Sequence, residues 1–144
     1  MTSAVQDYLK AIYALSGDEH GATTTALARK LHTSPAAITK MVKHLAAKGV
    51  VEHQPYYGVQ LTPAGAAIAS EMVRHHRLLE RYLTDMLGFS PENVHQEAER
   101  LEHHISEEFE DRIAELLGNP TVDPNGRPIP LKAERETHPI SEDE

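Results

Sequence analysis

The chain has 144 residues, ten histidines, 22 acidic and 14 basic side chains, no cysteine, and a formal net charge of −8. Without cysteine, disulfides, zinc ribbons, thiol nucleophiles and iron–sulfur clusters are excluded, so any metal must be held by nitrogen and oxygen. No apolar run approaches the roughly 20 residues of a membrane span, and the start Met1-Thr2-Ser3-Ala4-Val5 lacks a basic segment followed by an apolar one, which points to a cytoplasmic protein away from membranes.

This length can bury one core, or two small ones if dimerisation supplies the missing burial. The acidic total hides an asymmetry. Residues 1–63 carry six Lys/Arg against four acids, a net +2, whereas residues 64–144 carry eight bases and eighteen acids, a net −10. A phosphate-facing part and an acidic part follow from that division.

Taken in chain order, Val5, Tyr8, Leu9, Ile12 and Leu15 recur at helical spacing and predict a first helix over Ser3 to Leu15, with Asp7 beside the apolar stripe. Leu27, Ala28 and Leu31 mark the inward side of a second helix over Thr24 to Leu31, and His32-Thr33 form the turn after it. Ser34-Pro35 pairs a cap residue with the residue favoured at the first helical position. The third helix therefore starts there, buries Ile38, Met41, Val42 and Leu45, and stops at Gly49.

Two short β-branched runs, Val50 to Gln54 and Val59 to Leu61, flank Pro55-Tyr56-Tyr57-Gly58 and predict a hairpin. Thr62-Pro63 then opens a long helix, closed by Gly88. A fifth helix is expected from Pro91 to Ile105 with Val94, Ala98, Leu101 and Ile105 inward, and a sixth after Ser106 with Phe109, Ile113 and Leu116 inward. From Thr121 onward the chain is rich in proline and charge and is expected to be irregular or disordered. The expected organisation is mainly α: a winged helix-turn-helix over 1–63, a helical metal-binding and dimerisation domain over 64–120, and an irregular acidic tail over 121–144.

Helix, helix, turn, helix, hairpin is the order of a winged helix-turn-helix, whose recognition helix enters the major groove of double-stranded DNA. On that third helix Ser34, Ala36 and Ala37 are small enough for close approach to bases. Thr39, Lys40, Lys43 and His44 occupy the remaining outward positions, with Lys40 in reach of a base edge or phosphate and Lys43 of a phosphate. Tyr56 and Tyr57 at the hairpin tip would lie over the backbone. Each lysine alone reads as a solvated surface residue; the group on one helix face, with few acids nearby, reads as a DNA surface.

On the fifth helix His95, Glu99, Glu102 and His103 follow spacings of four, three and one, which confines them to an arc of about 100°. That stripe borders the apolar one and so faces a helix seam. His76 and Glu80 form a pair at spacing four on the long helix, and two helices offering imidazole and carboxylate to one seam is how helical bundles build metal sites. Glu71, Glu97, Glu107, Glu108 and Glu110 read as ordinary solvated acids.

The segments Gln6-Asp7-Tyr8-Leu9-Lys10, Ser34-Pro35-Ala36-Ala37-Ile38-Thr39-Lys40, His75-His76-Arg77-Leu78-Leu79-Glu80, the run from His95 to His104, and Asn125-Gly126-Arg127-Pro128, in this order of elements, resemble the diphtheria-toxin-repressor family of iron- and manganese-responsive regulators. The resemblance covers about residues 3 to 130. It implies a homodimeric repressor that binds operator DNA when loaded with a divalent metal. It further implies a primary metal site of Asp7, Glu99, Glu102 and His103, an ancillary site of His76, Glu80 and His95, and DNA contacts around Ser34, Ala36, Thr39 and Lys40.

Iron-type members place Met and Cys where this sequence has Asp7 and Glu99, and hard oxygen donors favour Mn(II), with Fe(II) as the alternative. Binuclear manganese members carry glutamate where this chain has Lys10. Longer members add an SH3-like domain that is not among these 144 residues. A metal-dependent enzyme is the rival class, but neither His-Glu-x-x-His nor the pair of Glu-x-x-His motifs of the di-iron bundles occurs. A winged-helix regulator of small organic ligands is the third reading.

Overall fold

Side-chain caps set most of the helix starts. In the computed structural model, which describes residues 2–17, 21–54 and 58–132, the Thr2 hydroxyl accepts the Val5 N–H at 3.2 Å and opens α1 (Ser3–Leu15). Thr23 accepts the Ala26 N–H at 3.0 Å and opens α2 (Thr24–Leu31). Ser34 accepts the Ala37 N–H at 3.1 Å and opens α3 (Pro35–Ala47), with Pro35 in the first turn. Each cap satisfies a backbone donor that the helix cannot, an effect of about 1 kcal/mol. His32 takes the left-handed conformation at φ 54° and lets the chain turn sharply between α2 and α3.

Strands β1 (Val51–Gln54) and β2 (Gly58–Leu61) pair antiparallel, with Val51 opposite Leu61 and His53 opposite Val59. Residues 55–57, the tip with Tyr56 and Tyr57, lie outside the described residues. Periodicity did not reveal that Ala22 extends the hairpin: the Val59 N–H bonds to the Ala22 carbonyl at 3.0 Å. Gly58 (φ 73°) allows that approach, since a Cβ there would lie 2.7 Å from the Ala22 oxygen.

α4 (Pro63–Leu87) begins where the Thr62 hydroxyl donates to the Gly49 carbonyl at 2.7 Å and accepts the Gly65 N–H at 3.2 Å. The described residues up to Ser70 form one compact unit and those from Glu71 another. The first unit buries Val5, Leu9, Ile12, Leu27, Ile38, Leu45, Val51 and Val59 in a single core. Its elements in order, three helices and a hairpin, are those of a winged helix.

The second unit contains the remainder of α4, α5 (Pro91–Leu101), α6 (Glu107–Leu116) and an ordered segment after it. Leu78, Leu79, Leu83, Val94, Ala98, Ile113, Ala114 and Ile129 form its core. No described helix is long and apolar enough to cross a membrane.

Three expectations change in this unit. First, α5 ends at Leu101 rather than Ile105. The Glu102 N–H still bonds to Ala98, but the His104 N–H bonds to Leu101 three residues back, a tight turn that leads into the Ser106 cap of α6. Second, α6 turns Glu110, Ile113 and Ala114 inward, while Phe109 (41% exposed) and Leu116 (59%) face outward. Glu110 is wholly buried rather than solvated, because Arg74 and His75 on α4 pair with it.

Third, residues 121–132 are irregular but folded. Ile129 enters the core, and an isolated bridge joins Val122 to Pro128. Three arginines on one side of α4 hold this segment by its carbonyls. Arg74 donates to Pro130 at 3.0 Å, Arg77 to Pro128 at 2.6 Å and Arg81 to Val122 at 3.3 Å. Residues 133–144 of the expected tail lie outside the described residues.

Candidate metal centre and nucleic-acid interface

His76 and Glu80 sit one turn apart on α4, so their side chains stack on the same face, and both are buried. α5 brings His95 onto them. The His76 Nε2 touches Glu80 Oε1 and lies 3.1 Å from His95 Nδ1, which is itself 3.2 Å from the same Glu80 oxygen. The two imidazoles meet edge-on, with ring centroids 4.7 Å apart and an interplanar angle of 68°. Two nitrogens and one carboxylate oxygen thus converge within 4.8 Å of one another.

Burial pushes the Glu80 carboxyl up. The hydrogen bond and charge of His76, the hydrogen bond of His95 and the charge of Arg127 outweigh it, holding the group down at about 2. Glu80 is therefore an anion at neutral pH, ready to meet a cation. This donor set of two imidazoles and a carboxylate fits a divalent first-row ion.

His76 also turns its Nδ1 toward Glu102 Oε1 at 3.1 Å, and His95 its Nε2 toward Glu99 Oε1 at 3.0 Å. A ring whose second nitrogen bonds a carboxylate has a fixed orientation, the usual support for a ligating histidine. Glu102 is buried in the turn after α5, and Glu99 is exposed on α5. His103 follows Glu102 in the same turn and is half-buried. Asp7 lies half-buried on α1 in the first unit.

A second cluster went unread in the sequence. Glu110 accepts the Arg74 Nε–H at 2.6 Å, and its other oxygen lies 2.7 Å from His75 Nε2, while His75 Nδ1 faces the Glu102 carbonyl at 3.4 Å. Burial disfavours a charged His75, but the hydrogen bond and charge of Glu110, helped by Glu71, prevail and raise its pKa above 6.5. Burial likewise disfavours a charged Glu110, and His75 and Arg74 overcome it, lowering that pKa below 4.5. The spacing of Arg74 and His75 beside the expected ligand His76 was the only signal available in the sequence.

On the first unit, α3 buries Ile38, Val42 and Leu45 and leaves Ala36, Thr39, Lys40, Lys43 and His44 on one exposed face. The Ser34 hydroxyl, exposed at the start of that face, is engaged by the cap, and the Thr39 hydroxyl donates to the Pro35 carbonyl at 3.1 Å. Tyr57 lies outside the described residues. A helix face of small residues followed by two cations has the character of a groove-reading surface.

A winged helix followed by a helical unit with clustered imidazoles and carboxylates defines a class of metal-responsive DNA-binding proteins. Residues 1–59 match the family described as the iron-dependent repressor N-terminal DNA-binding domain, and residues 62–131 that described as the iron-dependent repressor metal-binding and dimerisation domain. The chain belongs to the iron-dependent repressor family.

It is 35% identical over 130 residues to the diphtheria toxin repressor of Corynebacterium efficiens, covering 90% of this chain and 56% of that one. It is 34% identical over 116 residues to the transcriptional regulator MntR of Lysinibacillus sphaericus, covering 81% and 83%. Among solved structures, the manganese regulator SloR superposes with a TM-score of 0.81 at 37% identity, over 92% of this chain and 61% of that one. A manganese-dependent transcriptional repressor in complex with manganese gives 0.82 at 37%, over 94% and 63%. The chain thus spans little more than half the length of several relatives. These relatives are repressors and regulators rather than enzymes, which sets aside the enzyme reading.

Proposed function

We propose that this chain is a cytoplasmic, homodimeric transcriptional repressor that binds operator DNA when loaded with Mn(II). The convergence of His76, Glu80 and His95, in a chain whose other unit presents Lys40 and Lys43 on an exposed helix face, carries the reading. In it, His76, Glu80 and His95 hold one cation, and Asp7, Glu99, Glu102 and His103 form the primary ligand set. The exposed apolar side chains of Met86, Leu87, Phe109 and Leu116 in the second unit supply surface for dimerisation. A dimer presents two copies of α3 to half-sites about one or a few helical turns apart.

Manganese is favoured by the carboxylates of Asp7 and Glu99, hard donors that suit it, and by the manganese regulators among the similar structures. The iron-dependent repressor IdeR of Mycobacterium tuberculosis, 36% identical over 132 residues, supports Fe(II) as the second reading.

The deciding experiment is anaerobic fluorescence anisotropy on DNA from upstream of the chain's own gene, with buffered free Mn(II), Fe(II) or chelator. Tight binding is expected with Mn(II) and loss of it with chelator. Glu102→Ala and His103→Ala should remain folded and lose the metal response. Full binding in chelator would overturn the metal-dependent reading, and a full response to Fe(II) with little to Mn(II) would replace manganese by iron.

A further inference from the structure

The segment after α6 brings a positive charge to the metal-ligand cluster. Asp123 is buried, and its Oδ1 accepts the backbone N–H groups of Asn125 (2.9 Å) and Arg127 (2.8 Å). Its Oδ2 accepts the Arg127 Nε–H at 2.7 Å. The Asp-Pro-Asn-Gly sequence makes this turn, with Gly126 at φ 83°. Held on that edge, the guanidinium extends Nη2 to 3.5 Å from Glu80 Oε1. This is the same oxygen that meets His76 Nε2 and His95 Nδ1. One carboxylate oxygen is therefore shared by two imidazoles and a guanidinium.

We infer that Arg127 is a built-in competitor for the metal: a positioned guanidinium that contends with a divalent cation for Glu80 Oε1 and so sets the metal concentration at which the cluster fills. The inference rests on the reading of His76, Glu80 and His95 as metal ligands. Three features favour competition over support. Glu80 is already oriented by His76 one turn earlier on the same helix, so it needs no guanidinium to aim it. The Arg127 side chain is 45% exposed, so Nη2 can turn to water while Nε stays on the fully buried Asp123. A fixed single charge beside a dication's ligand opposes binding by Coulomb repulsion, and it stands at the one carboxylate among the three converging ligands.

The test is calorimetric titration of the full chain with Mn(II) and, separately, Zn(II), comparing the unaltered protein with Arg127→Gln, Arg127→Lys and Glu80→Gln. Arg127→Gln should bind on the order of tenfold more tightly at the site that Glu80→Gln removes, a modest factor because the pair is partly solvated. Arg127→Lys should fall between. If the glutamine variant loosens the 121–132 segment, side-chain NMR of the unaltered protein decides: Zn(II) should shift the Arg127 Nε–H resonance, and should not do so in Glu80→Gln. Equal or weaker affinity in a folded Arg127→Gln, or an unmoved resonance, overturns the competition while leaving the ligand assignment intact. If Glu80→Gln loses no site at all, the ligand assignment and the inference fall together.

Discussion

Replacing Glu110 by Gln should cost about 3 kcal/mol of stability near pH 6, the low end of what removing one partner from a buried ion pair costs. The low end applies because the amide oxygen can still accept from Arg74, which also keeps its bond to the Pro130 carbonyl. The neutral amide, however, no longer offsets the burial of His75, so the charged imidazole loses the partner that held its proton. The sign of the pH dependence follows from both partners. The depressed Glu110 pKa contributes stability present above pH 4.5 and lost as pH falls through the folded value. The raised His75 pKa contributes stability present below pH 6.5 and lost as pH rises through its folded value. The gap between the parent protein and Glu110→Gln should therefore be widest between those limits and narrow on either side. Urea denaturation in chelator, at fixed protein concentration and a series of pH values, measures it. A gap below about 0.5 kcal/mol at pH 6, within the range of ordinary surface substitutions, or one that does not change with pH, would refute the argument.

Mn(II) at a hundredfold excess over its dissociation constant should stabilise the folded protein by about 2.7 kcal/mol, and in a urea series this gain should shrink in His76→Ala. Lys40→Ala and Lys43→Ala should each lower the slope of log affinity for DNA against log salt by about 1 if both meet phosphates; a residual loss of base preference in Lys40→Ala would show that it reads a base edge. Gly65→Ala should destabilise the first unit by about 3 kcal/mol or more, because the new Cβ would lie 2.0 Å from the Val50 carbonyl oxygen, and a melting curve within about 2 °C of the parent would contradict the packing there.

The caps explain why so much of the fold could be read in advance. Ser34-Pro35 and Thr62-Pro63 are local signals, and α3 and α4 start where they predict. Periodicity likewise located the core faces of α1 to α3, since each apolar stripe there meets one core. It failed on α6, where the inward position next to Ile113 belongs to a charged residue. A buried glutamate looks like a solvated one until its partners, 36 residues away in the case of Arg74, are known. Spacing singled out His76 with Glu80 on one helix and His95 on another, and the family resemblance grouped the three, whose ligand atoms the fold brings together. Arg127 was not legible, because its approach to Glu80 depends on a turn closed by Asp123, whose burial no periodic pattern announces.

The clasp between α4 and the 121–130 segment makes unequal demands on its two sides. Arg74, Arg77 and Arg81 grip carbonyl oxygens, which every residue type supplies, so the partners at Val122, Pro128 and Pro130 are chosen by backbone path rather than by side-chain chemistry. Substitutions that preserve that path can accumulate along the segment without loosening it. Those at the arginines cannot, because a guanidinium has the reach and the several donors such a contact needs. The helix is thus the constrained partner and the irregular segment the permissive one, which leaves its outward side chains available for change while the main chain stays in place.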